Sequence, residues 1–296
     1  MRIRVRAPQV LTAVGLLAFA AVAAAAVAQY VFDMQPCPWC VLQRFIYLVL
    51  GVLALAAALV TGGARRVGAA IARRLHAAGA NVLLHYRDSE SDAAKLEAEL
   101  NAVRAKSAAR VKAELLAPIA PRALVSAAVQ SFGRLDLVVN NASSFFPVEL
   151  GAIESSHWEE LVGSNLRAPL FICQEAAPEL AKHEGAIVNI VDIHAERPLK
   201  GYALYSIAKA GLAALTRSLA VELAPRVRVN GVAPGAIAWP EDNQFDPAER
   251  SRIIATTPLA RMGSPQDIAQ AVHFLAAAPY ITGQIIAVDG GRSVFI

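Results

Sequence analysis

Cysteine is scarce in this chain of 296 residues: only Cys37, Cys40 and Cys173 are present. A zinc site built on Cys37 and Cys40 needs two further ligands, and no second cysteine pair supplies them, so no metal centre is expected. Charge is also thin, at 18% of residues with a net charge of +4. The arginines that cluster, Arg65, Arg66, Arg73 and Arg74, lie beside a glycine-bearing turn and do not form the basic stripe that nucleic acid requires. Nucleic-acid binding is therefore excluded. No internal repeat or low-complexity linker breaks the chain, and the length suits one large α/β domain plus an appendage. Apolar side chains are in excess, at 56% of the sequence. A mean hydropathy of +0.43 is high for an enzyme that sits wholly in water, so part of the chain reads as lipid-facing.

That part is the N-terminus. Residues Val10 to Ala28 carry no charge and follow Arg2, Arg4 and Arg6, the pattern of a membrane helix with its start in the cytoplasm. The small residues Ala24 to Ala28 also suit a signal-peptide cleavage site. Next comes Gln35-Pro36-Cys37-Pro38-Trp39-Cys40 and an apolar run from Phe45 to Val60. Two cysteines one short turn apart can form and release a strained disulfide, and half of a zinc site or an inert pair are the other readings. Residues 8 to 58 resemble the first loop of disulfide bond formation protein B, a membrane thiol oxidase. The resemblance implies redox roles for Cys37 and Cys40, although that family's second cysteine pair and last two membrane helices are missing. Cys173 reads as a buried small hydrophobe. We expect a membrane-type segment over 1–56 and a reductase domain over 57–296 that folds without it. The two compete for Ala57 to Val60: without those residues the second apolar run is about 18 Å long at 1.5 Å per residue, against a hydrocarbon core of roughly 30 Å. An inside start and two crossings would return the reductase domain to the cytoplasm.

From residue 57 short apolar runs alternate with amphipathic stretches, the signature of a Rossmann-type doubly wound parallel sheet covered on both faces. Strands are predicted near 57–61, 81–86, 110–114, 135–140, 185–191, 227–232 and 284–288. Helices are predicted over 66–78, 90–106, 120–132, 155–181, 203–224 and 265–277. Ser264-Pro265-Gln266-Asp267 opens the last with an N-cap, a proline at the first helical position and an acid three residues on. Residues 236–247, with Trp239, Pro240 and Phe245, read as an irregular loop covering a substrate.

Four clusters punctuate this pattern. Tyr205 and Lys209 are four apart on a helix, which puts phenol and ammonium on one face; a nearby cation would pull the phenol pKa down from about 10. Asp192 ends the apolar run Ala186 to Val191. Thr61-Gly62-Gly63-Ala64-Arg65-Arg66-Val67-Gly68 is a glycine-bearing turn before a helix, suited to phosphate at backbone N–H groups. Asn140-Asn141-Ala142 closes a fourth strand. Together these resemble the short-chain dehydrogenase/reductase family, over residues 57 to 296. Departures from the common pattern resemble the pteridine reductases in particular: Arg66 in place of the middle glycine, Ser143 after Asn-Asn-Ala, the following Ser144-Phe145-Phe146-Pro147, and Asp192 in place of the usual serine.

The resemblance implies a set of roles. Asp192, Tyr205, Lys209 and Asn165 would be catalytic, with Tyr205 the proton donor, Lys209 on the nicotinamide ribose and Asn165 holding a water. Thr61, Gly62, Arg65, Arg66, Val67, Gly68, Tyr86, Arg87, Ser89, Asn141, Ala142, Ser143, Pro234 and Gly235 would bind the cofactor. Arg66, Ser143, Phe145, Asp192 and Tyr205 would bind a pterin, Phe145 by stacking; core packing is the alternative for Phe145 and Phe146, and helix packing for Asn165. Arg87, Ser89 and Arg66 favour a 2′-phosphate and hence NADPH, while Asp88 dissents. Glu114 stands near the position of an adenine-binding acid. The expected activity is NADPH-dependent pterin reduction by a homotetramer. A thiol oxidase fragment with an incidental reductase domain is the alternative.

Overall fold

The computed structural model describes residues 56–239 and 245–294. Cys37 and Cys40, and the predicted membrane helix and signal-type stretch, lie outside these residues. Among the described residues no helix is long and apolar enough to cross a membrane.

Seven strands form one parallel sheet: β1 (Ala57–Val60), β2 (Asn81–Tyr86), β3 (Ala108–Lys112), β4 (Leu137–Asn140), β5 (Ala186–Ile190), β6 (Arg228–Pro234) and β7 (Ile285–Val288). Their order is β3-β2-β1-β4-β5-β6-β7. The sheet thus claims Ala57 to Val60, and all four are buried. Within β1 the pleat sends alternate residues to opposite faces. Val60 packs with Ile71, Leu75 and Val272 on one side, and Leu59 with Leu124, Val138 and Ile172 on the other. β1 therefore needs apolar side chains in both registers, as a strand buried on both faces does. The chain reverses direction across the sheet between β1 and β4, and ligands in such sheets bind beyond the strand ends at that point.

Eight α-helices are described: α1 (Arg66–Ala77), α2 (Glu90–Val103), α3 (Ala120–Phe132), α4 (Ser155–Val162), α5 (Ala168–Leu180), α6 (Ala203–Glu222), α7 (Pro247–Ala255) and α8 (Pro265–Ala277). Two features depart from expectation. The helix predicted over 155–181 is interrupted by a π turn at Gly163–Arg167. Pro169 follows it, and proline has no N–H to give the carbonyl four residues earlier, that of Asn165. The second departure is α7, a helix not predicted, which begins at Pro247 where the stretch read as irregular ends. Asp246 caps it by accepting from the Glu249 N–H at 2.8 Å, and Pro247 takes its first turn. α8 starts as predicted, with Ser264 and Asp267 capping each other's backbone at 3.3 and 2.7 Å.

Candidate active site

The glycine-bearing turn between β1 and α1 is built for close approach. Gly62 has a φ of +59°, open to glycine at little cost. A Cβ on Gly68 would stand 2.1 Å from the Gly62 carbonyl oxygen, so no side chain fits there. Asn141 stitches the turn to β4, donating from Nδ2 to the Thr61 and Gly62 carbonyls at 2.9 and 3.1 Å. The Thr61 hydroxyl accepts from the Asn141 and Ala142 N–H groups at 2.9 and 3.0 Å. His85 holds the turn from behind: its Nδ1 accepts from the Gly62 N–H at 3.1 Å and its Nε2 meets the Ala113 carbonyl at 3.0 Å. Burial lowers its pKa and favours this neutral form. Arg66 keeps the left-handed backbone that a glycine would take, at φ +50°. Its guanidinium donates to the Ala238 and Trp239 carbonyls at 2.9 and 3.1 Å, tying the turn to the loop after β6.

Beyond the strand ends opens a cleft of about 610 Å³. Gly62, Arg65, Arg66, Val67 and Gly68 line it from the turn, and Asn141, Ala142, Ser143 and Phe145 from the segment after β4. Asp192, Tyr205, Lys209, Pro234 and Gly235 complete the predicted set within it.

Five predicted residues stand elsewhere. Thr61 lies behind the cleft at 1% exposure, bracing the turn. Tyr86 is buried, and Ser89 precedes α2. Arg87 pairs with Asp88 at 2.9 Å and reaches Glu160 at 3.3 Å, so the dissenting Asp88 engages the arginine meant for phosphate. Asn165 is fully buried. It donates to the Ser144 and Leu161 carbonyls at 2.8 and 2.9 Å and accepts from the Ser143 hydroxyl at 2.7 Å, so its side chain shapes the wall of the site from behind. Glu114 turns back to accept from the Leu116 N–H at 3.2 Å.

At the centre, Tyr205 donates its hydroxyl to Asp192 Oδ2 at 2.8 Å, and Asp192 Oδ1 accepts from the His194 N–H at 2.9 Å. Lys209 donates to the Ile190 carbonyl at 2.8 Å and stands 5.6 Å from the Tyr205 ring centre. The expected lowering of the phenol pKa is reversed here. Burial raises it, the Asp192 charge and hydrogen bond raise it further, and a hydrogen bond from Ser143 opposes them. The carboxylate, not the ammonium, is the phenol's hydrogen-bond partner, so its charge acts in the same direction as burial. Burial likewise lowers Lys209, to about 8, with Asp192 opposing. Phe145 stacks on Tyr202 with ring centres 4.7 Å apart and meets Tyr205 edge-on at 4.8 Å, so it belongs both to an apolar cluster and to the cleft.

Further lining residues had no sequence signal: His194 and Leu199 before α6, Glu249, Arg252 and Ile253 on α7, and Arg292 after β7. They reach the cleft only through the tertiary fold. The start of α7 could have been read, because Asp246-Pro247-Ala248-Glu249 repeats the cap, proline and acid spacing of Ser264 to Asp267.

Residues 62–293 match the family model described as enoyl-(acyl carrier protein) reductase, one of the short-chain dehydrogenase/reductase models. The chain belongs to the short-chain dehydrogenase/reductase family. It is 41% identical over 279 residues to pteridine reductase 1 of Leishmania tarentolae, an alignment covering 80% of this chain and 96% of that protein. It is also 36% identical over 238 residues to the 3-oxoacyl-(acyl-carrier-protein) reductase FabG of Staphylococcus aureus, covering 79% and 96% respectively. As a short-chain reductase the protein is an NAD(P)-dependent oxidoreductase of small molecules, and the Gly62–Gly68 cradle fits a dinucleotide. Residues 7–94 match a second model, described as disulfide bond formation protein DsbB. From Ala57 onward that match falls on β1, α1, β2 and the start of α2, all of them parts of the reductase sheet.

Proposed function

We propose that this short-chain reductase uses NADPH to reduce a C=N bond of a dihydropterin. The observation that carries this is the 2.8 Å hydrogen bond from Tyr205 to Asp192 inside a cleft also lined by Arg66 and Phe145. A reductase of C=O groups develops alkoxide charge and gains from a hydroxyl donor. Here an acceptor stands where the family's common pattern has that donor. Imine reduction instead makes a nitrogen basic and needs a proton delivered to it.

NADPH, when bound, supplies the hydride. The protein supplies the proton path and the positioning. Tyr205 presents the hydroxyl proton for the pterin nitrogen, and Asp192, oriented by the His194 N–H, sets the direction of the phenol. Lys209, anchored on the Ile190 carbonyl, would hold the nicotinamide ribose. Gly62, Arg65, Val67, Gly68, Asn141 and Ala142 would cradle the dinucleotide, with Pro234 and Gly235 beside its nicotinamide end. Ser143, Arg66 and Phe145 would receive the pterin. Arg87 and Ser89 support a 2′-phosphate, with Arg87 half-exposed beside Asp88. Asp192→Ser tests the reading: kcat/KM for dihydropterins is expected to fall by about 10²-fold, the scale of a lost acid–base partner. Equal activity of the serine variant would reject the imine assignment.

The match of residues 7–94 to the disulfide bond formation model supports the alternative reading, a membrane thiol oxidase fragment carrying Cys37 and Cys40 with an incidental reductase domain. Quinone-dependent loss of free thiol at these two positions in membranes would support it, and unreactive thiols would reject it.

A further inference from the structure

The charges at the cleft are not balanced on its covering side. Arg252, on the last turn of α7, and Arg292, beyond β7, both line the cleft that holds Tyr205 and Asp192. Arg292 is fixed in place, its Nη1 donating to the Ile253 carbonyl at 2.9 Å and to the Thr256 hydroxyl at 3.2 Å. Its Nη2 and Nε have no acceptor among the described residues. Burial lowers the Arg292 pKa, and the nearby charge of Arg252 lowers it further, so the two guanidiniums repel each other. The neighbouring acids do little to relieve this. Asp289 is occupied by the Gly291 and Ser293 N–H groups at 2.9 and 2.6 Å. Glu249 meets Arg252 only at 3.7 Å, on a side chain that is 74% exposed, a pair worth little in water.

Two like charges held together on a cleft wall, one with donors to spare, make a site for an anion. We propose that Arg252 and Arg292 form a subsite that binds the anionic tail of the substrate. This rests on the pterin reading and deepens it: the favoured pterin carries a carboxylate or phosphate on its side chain, not a neutral polyol. The cofactor phosphates are left to the β1–α1 turn, which presents backbone N–H groups at a helix N-terminus, whereas Arg252 stands on α7 and Arg292 after β7. A guanidinium fork serves carboxylate and phosphate alike.

The test compares kcat/KM for three substrates with NADPH: dihydrofolate, whose tail ends in carboxylates, dihydroneopterin phosphate, and the neutral dihydrobiopterin. The variants are Arg252→Gln, whose exposed side chain makes no structural hydrogen bond, and Arg292→Gln, with its folding checked by thermal melting. The ratio of anionic to neutral kcat/KM should fall by about 10- to 100-fold, mainly through KM. A fall with one anionic substrate alone identifies the tail as carboxylate or phosphate. An unchanged ratio in Arg252→Gln overturns the subsite while leaving pterin reduction standing. A parallel loss of NADPH affinity, measured by fluorescence titration, also overturns it, by assigning the pair to the cofactor. If the wild type reduces none of the three, the pterin reading and the subsite fall together.

Discussion

Tyr205 and Asp192 show how far a residue's chemistry can be read from its neighbours in sequence. The Tyr205/Lys209 spacing and the strand-end position of Asp192 were both legible, and the fold brings all three into one cleft. The sign of the phenol's pKa shift was not legible, because it depends first on how deeply the ring is buried and then on which charged partner lies within hydrogen-bond reach. That partner is Asp192, 13 residues away. Asn165 was likewise legible as a helical amide, but its fully buried, fully engaged side chain was not. Tyr205→Phe keeps the ring packed between Phe145 and Lys209 while removing the proton. Turnover should therefore be lost while NADPH binding, followed by fluorescence, changes little. Retention of activity within a few-fold would show that another group supplies the proton.

At the scale of elements, the strands follow from apolar runs that have only one way to be buried on both faces, and their parallel pairing from alternation of those runs with helices. The π turn and α7 were harder. The π turn leaves no periodic trace. α7 has no buried residue and so no apolar stripe, which leaves only its cap as a signal. α6 was clear on both counts, and it carries Tyr205 and Lys209 into the core together. Burial there lowers Lys209 from 10.5 to about 8. A lysine with a folded pKa below its unfolded one costs stability while the folded state must hold the charge, and the cost is relieved as pH rises from the folded value towards the unfolded one. The stability of the wild type relative to Lys209→Met should therefore rise between pH 8 and 10, by up to about 2–3 kcal/mol. Above pH 10 the raised pKa of Tyr205 acts in the opposite direction. Identical pH profiles for the two proteins by thermal melting would contradict the buried charge.

On the scale of the whole molecule, two sequence resemblances meet at Ala57, and the central position of β1 decides which one owns the residues there. A strand paired on both sides, by β2 and β4, cannot be surrendered without dismantling the sheet. We propose that residues 57–296 fold and act without the preceding segment. Expressed with a new initiator methionine, they should give folded protein that binds NADPH with the affinity of the full chain. Insoluble protein rescued only by the full chain in membranes would show that the N-terminal segment belongs to the working enzyme. The activity itself is tested most directly by following NADPH oxidation by the purified full-length protein against dihydropterins and a 3-oxoacyl thioester in parallel. The Asp192–Tyr205 pair predicts kcat/KM at least about 10²-fold higher for a dihydropterin; a preference for the thioester would contradict it.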